Sequence, residues 1–104
     1  MKHIEKIVWM IGSYHTFNLP HVFFKEDYSD EQWKALEQYL NHTINIFSWG
    51  DYINPNIVDG SRWRLEIFLT NGEVFVSSGS NAYPDNFDAF KKYIETFKTS
   101  TKVS

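Results

Sequence analysis

Residues 62–78 read RWRLEIFLTNGEVFVSS, and this stretch decides the fold. Its first half alternates apolar and polar residues from Trp63 onward, with the period of two that is typical of a half-buried strand. Asn71-Gly72 follows at once, and both residues tolerate the positive φ that a two-residue type I′ turn requires. The chain then returns as a second apolar stretch that ends near Ser78. The pattern therefore predicts a β-hairpin.

A two-residue turn decides which residues face each other across this hairpin. The predicted pairs are Thr70 with Glu73, Leu69 with Val74, Phe68 with Phe75, and Ile67 with Val76. One face then carries only apolar side chains, and we expect it to face the core: Leu65, Ile67, Leu69, Val74 and Val76. The other face holds Phe68 and Phe75 among charged residues. These two aromatics either pack under a loop or form a contact surface.

Two helices are predicted from apolar residues at helical spacing. In the first, over 29–43, Ser29 and Gln32 form a capping box and the apolar stripe is Trp33, Leu36 and Leu40. In the second, over 84–98, the stripe is Phe87, Phe90, Ile94 and Phe97. We assign Trp9, Trp33, Trp63, Phe87, Phe90 and Phe97 to the core.

The two halves of the chain, about 4–43 and 58–98, repeat one plan. Sliding the chain against itself aligns Trp9 with Trp63, Thr16 with Thr70, Val22 with Val76, Ala35 with Ala89, and Tyr39 with Tyr93. We therefore expect a pseudo-duplicated ββα-ββα arrangement and a single α+β domain over 1–98. Its sheet has four antiparallel strands, or five if Ile44 and Ile46 belong to a further strand, with both helices on one face. Residues 99–104 are expected to form a disordered tail.

The connecting loop, 44–61, is too long for a simple link. It is rich in aromatic residues, which either pack it as a lid over the open sheet face or bind a partner. Together with the outer side chains of the hairpin, these aromatics are the predicted partner-binding residues: Phe47, Trp49, Tyr52, Arg64, Phe68 and Phe75.

Composition excludes several classes of protein. The chain has 104 residues, no cysteine, a formal charge of -3 and 18% aromatic residues. Without cysteine there is no disulfide scaffold, iron–sulfur site, cysteine-ligated zinc or thiol catalysis. The acidic balance makes direct nucleic-acid binding an unfavoured interpretation. The longest early apolar run, Ile7 to Ile11, is too short for a signal peptide or a membrane span, so we expect a soluble, cytoplasmic protein.

Catalytic and metal-binding patterns are weak. His15 and His21 would approach each other if the first hairpin turns near Asn18, but two imidazoles do not complete a zinc ligand set. No serine lies in a nucleophile elbow, and Asp85 and Asp88 suit the start of a helix. We therefore predict no metal, no cofactor, no catalytic residue and no enzymatic activity.

The segment from Trp63 to Phe90 resembles a pattern found in small uncharacterised bacterial and phage-borne proteins. The shared residues are W-x-L-x-I at 63–67, NG at 71–72, SGSNAYP at 78–84, and then Phe87 and Phe90. The resemblance implies no functional residue. Physically, the residues before the second helix suit a strand-to-helix corner, in which glycine allows an unusual backbone angle, asparagine bonds neighbouring amides and tyrosine packs back on the sheet. The corner residues are Gly79, Asn81, Tyr83 and Pro84.

Taken together, these features predict a non-enzymatic protein that acts by protein–protein contact, because aromatic residues are enriched at interface hot spots. Small acidic domains of this kind include phage or mobile-element inhibitors of bacterial defence nucleases, anti-CRISPR proteins among them. The partner would then be a nucleic-acid enzyme with a basic groove, and a homodimer stays open. One alternative is a small ligand-binding domain or enzyme that uses the corner with His15 and His21. Another is a sheet that binds single-stranded nucleic acid through Phe68, Phe75 and Arg64.

Overall fold

The computed structural model describes residues 1–13, 19–54 and 60–98 of the chain. These residues form five strands and two α-helices in the order ββαβββα. The strands are β1 (Ile4–Ser13), β2 (His21–Phe24), β3 (Asp51–Ile53), β4 (Ser61–Leu69) and β5 (Val74–Ser80), and the helices are α1 (Asp30–Gln38) and α2 (Phe87–Lys98). A π-helical turn, Tyr39–Thr43, continues α1, and short 3-10 turns are present at Lys25–Asp27 and Ile46–Ser48. The predicted tail, 99–104, lies outside the described residues.

The strands form one mixed sheet with the order β2-β1-β4-β5-β3. All neighbours pair antiparallel except β3, which runs parallel to β5. The prediction of an α+β fold is confirmed. The prediction that all strands are antiparallel is wrong at the edge formed by β3. The fifth strand does come from the connecting segment, although it lies at Asp51–Ile53 and not at Ile44 and Ile46. Asn45 has a left-handed backbone with φ of 54°, which ends the preceding helix and cannot continue as a strand.

The turn of the β4–β5 hairpin has three residues and not two. The Gly72 N–H donates to the Leu69 carbonyl (3.1 Å), and the Leu69 N–H donates to the Glu73 carbonyl (2.9 Å). Gly72 has φ of 94°, whereas Asn71 is not among the positive-φ residues of the described chain. This geometry is a type I turn followed by a left-handed glycine, in place of the predicted type I′ turn.

This extra turn residue shifts the hairpin register by one and turns β5 over. Phe68 pairs with Val74, Ile67 with Phe75, and Glu66 with Val76. Because strand side chains alternate between faces, a shift of one exchanges the two faces of the strand. Val74 and Val76 are therefore 50% and 39% exposed, and their predicted place in the core is wrong. Phe75 and Ser77 point inward instead, so the predicted outer pair of Phe68 and Phe75 does not form.

Both helices pack on the same face of the sheet, which we call the inner face. Ser29 and Gln32 form the predicted capping box, with bonds of 3.1 and 3.0 Å. The α2 helix begins at Phe87, three residues later than predicted, and the Pro84 carbonyl accepts the Phe87 N–H (3.1 Å) in the turn before it. The core unites both helices with the inner side chains of the strands, and all six aromatics assigned to it are buried: Trp9, Trp33, Trp63, Phe87, Phe90 and Phe97.

Each half of the described chain supplies an antiparallel strand pair and then a helix, as the predicted plan requires. The equivalent strands β1 and β4 lie side by side in the sheet, with Trp9 and Trp63 6.2 Å apart between ring centroids. The two pairs differ in register, however. Val22 pairs with Val8, whereas the aligned Val76 pairs with Glu66, which aligns with Gly12 and not with Val8.

Trp63 packs directly over the backbone of Gly79, its partner across the β4–β5 pair. A Cβ placed on Gly79 would lie 2.2 Å from the indole Nε1 and 2.6 Å from the Ala82 carbonyl oxygen. The same Nε1 donates a hydrogen bond to that carbonyl (3.0 Å). Gly79 is thus required because the indole approaches it closely.

We expect Gly79→Ala to lower the free energy of unfolding by about 1–3 kcal/mol, because the new methyl group must displace a buried indole. Gly50→Ala is the matched control, since a Cβ at Gly50 meets nothing within 4 Å. Urea unfolding of both variants measures the difference. Equal midpoints for the two variants would contradict the close approach of Trp63.

Candidate interaction surface

The face of the sheet opposite the helices, which we call the outer face, carries a continuous group of apolar side chains. The residues of this face are Lys6, Val8 and Met10 on β1, Val22 and Phe24 on β2, Arg62, Arg64, Glu66 and Phe68 on β4, Val74, Val76, Ser78 and Ser80 on β5, and Asp51 and Ile53 on β3. Among them, Val22, Phe24, Val74 and Val76 are 43%, 40%, 50% and 39% exposed. These exposed apolar groups therefore lie on β2 and β5, and Val8, Met10 and Phe68 on the two strands between them are partly exposed.

One row of the outer face combines two aromatic rings with a cation. Lys6 lies between Phe24 on β2 and Phe68 on β4, and it is paired with both across the strands. Its Nζ is 4.2 Å from the centroid of the Phe68 ring and 5.8 Å from that of Phe24. The ammonium group therefore interacts with the negative faces of both rings. The next row consists of Val22, Val8, Glu66 and Val76, so it holds three valines and one carboxylate.

The centre of the outer face carries an ion pair on β4. The Arg64 Nε donates to the Glu66 Oε2 at 2.9 Å. The side chains are 44% and 24% exposed, respectively. Their attraction is therefore weakened by water and contributes at most about 1 kcal/mol to stability. Both groups remain accessible to a molecule that docks on this face.

The predicted partner-binding residues divide between the two faces of the sheet. Arg64 and Phe68 lie on the outer face, whereas Phe47, Trp49, Tyr52 and Phe75 pack against the core on the inner side. Trp49 is 5% exposed and meets Trp63 edge to face, with ring centroids 5.8 Å apart. Phe47 makes a similar contact with Phe75 at 5.2 Å. The connecting segment thus packs by its own aromatics, as one alternative predicted, but beside the helices. A role of these four residues in binding stays a prediction.

Buried polar contacts hold the connecting segment in this position. The Ser77 hydroxyl, which the β5 register directs inward, donates to the Gly50 carbonyl at 2.6 Å. The Trp49 Nε1 donates to the Asn86 Oδ1 at 3.0 Å, and the Asn86 Nδ2 donates to the Ile44 carbonyl at 2.6 Å. Asn86 therefore ties both ends of the buried part of this segment to the start of α2.

The strand-to-helix corner is present, but Asn81 and not Gly79 has the unusual backbone angle. Asn81 adopts the left-handed conformation with φ of 58°, and its N–H donates to the Ser61 carbonyl at 2.9 Å. The prediction that Gly79 supplies the unusual backbone angle is wrong, since Gly79 lies within β5. A glycine is required there because the neighbouring Trp63 indole leaves no room for a Cβ. Tyr83 packs against Phe87 at 4.7 Å but stays 42% exposed.

A pocket of about 370 Å³ lies beside this corner, within the size range of small-ligand sites. Its lining residues are Ile11, Ser61, Tyr83, Pro84, Asp85, Phe87, Asp88 and Lys91. His21 does not line it, and His15 lies outside the described residues. In the part of the chain that the structure describes, no three histidine or acidic residues come together as metal ligands. The polar side chains at the pocket are the Asp85 and Asp88 carboxylates, the Lys91 ammonium, the Tyr83 phenol and the Ser61 hydroxyl.

Two tyrosines have altered acidity because they pack into the aromatic layer between the helices. Burial, with a smaller contribution from the Asp27 carboxylate, raises the pKa of Tyr28, whose ring stacks on Phe97 at 4.3 Å. Burial, followed by the adjacent Tyr39, raises the pKa of Tyr93, which stacks on Tyr39 at 4.0 Å. Both phenols therefore stay protonated at neutral pH and act as packing groups.

The prediction from sequence missed most of the outer face. The alternation in β1 and the HVFF run of β2 were the available signals, because they direct Val8, Val22 and Phe24 to the same side. It also missed Glu37, a carboxylate with 7% exposure whose Oε2 accepts the Ile4 N–H at 2.6 Å and lies 3.5 Å from the His3 Nδ1. Glu37 anchors the start of β1 to α1.

No protein family, curated protein or solved structure matches this chain. The resemblance of the segment from Trp63 to Phe90 to bacterial and phage-borne proteins stays a prediction. Within the described ranges, no helix is long and apolar enough to cross a membrane.

We expect Asn86→Ala to lower the free energy of unfolding by about 2 kcal/mol, because it leaves the Trp49 indole N–H and the Ile44 carbonyl without this partner. Trp49→Phe removes the indole donor, so the cost of Asn86→Ala should be smaller in that background. A double-mutant cycle by chemical denaturation measures this coupling. Strictly additive costs would show that the Trp49–Asn86 bond does not contribute.

Proposed function

We propose that this protein is a non-enzymatic binding protein and that its contact surface for a protein partner is the outer face. The observation that carries the proposal is the exposure of Val22, Phe24, Val74 and Val76, at 39–50%, on a sheet face that neither helix covers. A sheet normally buries its apolar face against a second layer. Contiguous apolar patches on a protein surface mark interaction sites more often than scattered apolar residues do.

The register of β5 supports this proposal. The type I turn directs Val74 and Val76 outward, beside Phe68 and Glu66 of β4. At about 25 cal/mol per Å² of apolar surface removed from water, covering such side chains yields a useful driving force for association. The ion pair and Lys6 supply polar groups within the same surface, and arginine is among the residues that are enriched at protein interfaces.

The proposal predicts that charge on the outer face abolishes partner capture. The double variant Val22→Lys/Val76→Lys should reduce the recovery of a stoichiometric partner from a bacterial lysate about tenfold or more, since each buried ammonium must be desolvated. Tyr83→Lys is the control, because Tyr83 has a similar exposure of 42% but lies at the corner. Quantitative affinity capture, with circular dichroism as the folding check, measures the effect.

Two outcomes would contradict the proposal. In the first, the double variant recovers the partner as well as the wild-type chain does. In the second, the wild-type chain recovers no protein and retains a small molecule, which would favour the pocket beside Tyr83 and the alternative of a ligand-binding domain.

A second candidate function is the binding of single-stranded nucleic acid, which the row of Phe24, Lys6 and Phe68 favours. Exposed rings on a sheet can stack bases, and Arg64 and Lys6 could contact phosphates. Phe75 no longer takes part, because it faces inward. The protein's net charge of -3 opposes this function.

If that second function holds, a labelled single-stranded oligonucleotide should bind at low ionic strength and dissociate as salt is added. Phe68→Ala should weaken the binding about tenfold, because base stacking on one ring contributes about 1–3 kcal/mol. Fluorescence anisotropy measures both effects, and Tyr83→Ala is the control. Absence of salt-dependent binding removes this candidate.

Two further proposals concern the repeat within the fold and the class of the partner. We propose that the halves are a duplicated ββα unit, which the side-by-side position of β1 and β4 supports and the different registers of their strand pairs oppose. We also propose the narrower function of an inhibitor of a bacterial defence nuclease, which the small size and acidic composition of the chain support.

A further inference from the structure

We propose that the outer face binds a second copy of this chain, in a symmetric dimer whose centre is the Arg64–Glu66 pair. This inference rests on the proposed function, because it uses the same surface and names the partner. Three features of the molecule support it: the order of charges along β4, the apolar residues beside them, and the size of the sheet.

When two copies of β4 run in opposite directions, their outer side chains place complementary groups opposite each other. These outer side chains are Arg62, Arg64, Glu66 and Phe68, and β4 is the central strand of the sheet. A two-fold axis that lies between the two outer faces, at right angles to β4 and level with the midpoint of Arg64 and Glu66, brings the same strand of a second copy into antiparallel alignment. Each Arg64 then faces the Glu66 of the other copy, so the contact is isologous and contains the charge pair twice.

The Arg64–Glu66 pair lies closest to this axis. Packed sheets are rotated by about 30° relative to each other, and such a rotation displaces residues near the axis least. Arginine has five N–H donors, and the bond within the chain comes from Nε. The terminal nitrogens can therefore reach a carboxylate on the facing copy, which would turn a weak, exposed pair into a four-membered network of alternating charge.

On the β1 side the residues beside the charge network are apolar, whereas Ser78 of β5 lies level with Arg64. The same axis places Val8 opposite Met10 on the neighbouring strand, and it places Arg62 opposite the ring of Phe68. An arginine over an aromatic ring is a favourable contact. The alignment therefore puts no like charges of β4 opposite each other.

The size of the sheet fits a reversible dimer. With strands about 4.8 Å apart and about 3.3 Å per residue, the sheet has an area of roughly 500 Å². Two copies would bury roughly 1,000 Å², which is slightly below the ~1,200 Å² of stable interfaces. The dimer should therefore form and dissociate with protein concentration, and a heterologous partner of the outer face would compete with it.

Charge reversal provides the test. Sedimentation velocity of the wild-type chain should show the average mass rising with concentration from the monomer value of 12.3 kDa towards twice that value. Arg64→Glu and Glu66→Arg should each weaken the dimer about tenfold or more, because like charges then face each other across the axis. An equimolar mixture of the two variants should form a dimer again, since positions 64 and 66 then carry opposite charges wherever the two copies meet.

The mixture also separates loss of the interface from loss of folding, because two misfolded variants would not restore each other. Tyr83→Lys, at the corner, should dimerise as the wild-type chain does. The proposal is overturned if the wild-type chain stays monomeric, if either single variant still dimerises at wild-type strength, or if the mixture stays monomeric. A monomeric chain that loses a captured protein on Val22→Lys/Val76→Lys would remove the dimer and leave the proposed function intact. A dimer without any captured protein would support both proposals, with the second copy as the partner of the outer face.

Discussion

The packing of Trp63 over Gly79 is the contact on which the rest of the structure depends. The indole takes the space of an absent side chain and donates a hydrogen bond to the Ala82 carbonyl at 3.0 Å. Rings from three other parts of the chain surround it: Trp9 from β1, Trp49 and Tyr52 from the connecting segment, and Phe87 from α2. One side chain therefore joins both halves of the sheet, the second helix and the segment between the halves.

This contact also determines which side of β5 faces the core. Gly79 must lie under Trp63, and because side chains alternate along a strand, Ser77 and Phe75 then point inward with it. Ser77 holds the connecting segment through the Gly50 carbonyl, and Phe75 packs on Phe47. Val74 and Val76 are left on the outer face as a consequence. The apolar surface that we propose for binding and the buried connecting segment thus have one common origin.

The outer face combines exposed apolar side chains with a charged pair. Apolar side chains lie on four adjacent strands, and a charged pair lies at their centre. Such a surface remains stable in water because its polar groups are solvated, and it can still dock on a surface with the opposite arrangement. The pocket beside Tyr83 lies at the corner before α2 and offers a separate place for a small molecule.

Local patterns in the sequence determined a large part of the fold. The alternation in 62–69, the capping box at Ser29 and the helical spacing of Phe87, Phe90 and Ile94 all predicted their elements, because each depends on neighbours within a few residues. The core aromatics were predicted for the same reason. The surface that we propose for binding was predicted only in part. Arg64 and Phe68 lie on the outer face, whereas Phe75 and the aromatics of the connecting segment lie on the other side.

What the sequence alone determined is therefore the identity of the two helices and of the main strands, and which residues of β4 are buried. Only the tertiary structure decided the turn of the hairpin, the parallel position of β3 and the side on which the connecting segment packs. Asn71-Gly72 is compatible with both a two-residue and a three-residue turn, so local chemistry does not distinguish their registers. The choice depends on the fit between Trp63 and Gly79, which are partners across the hairpin and meet only in the observed register.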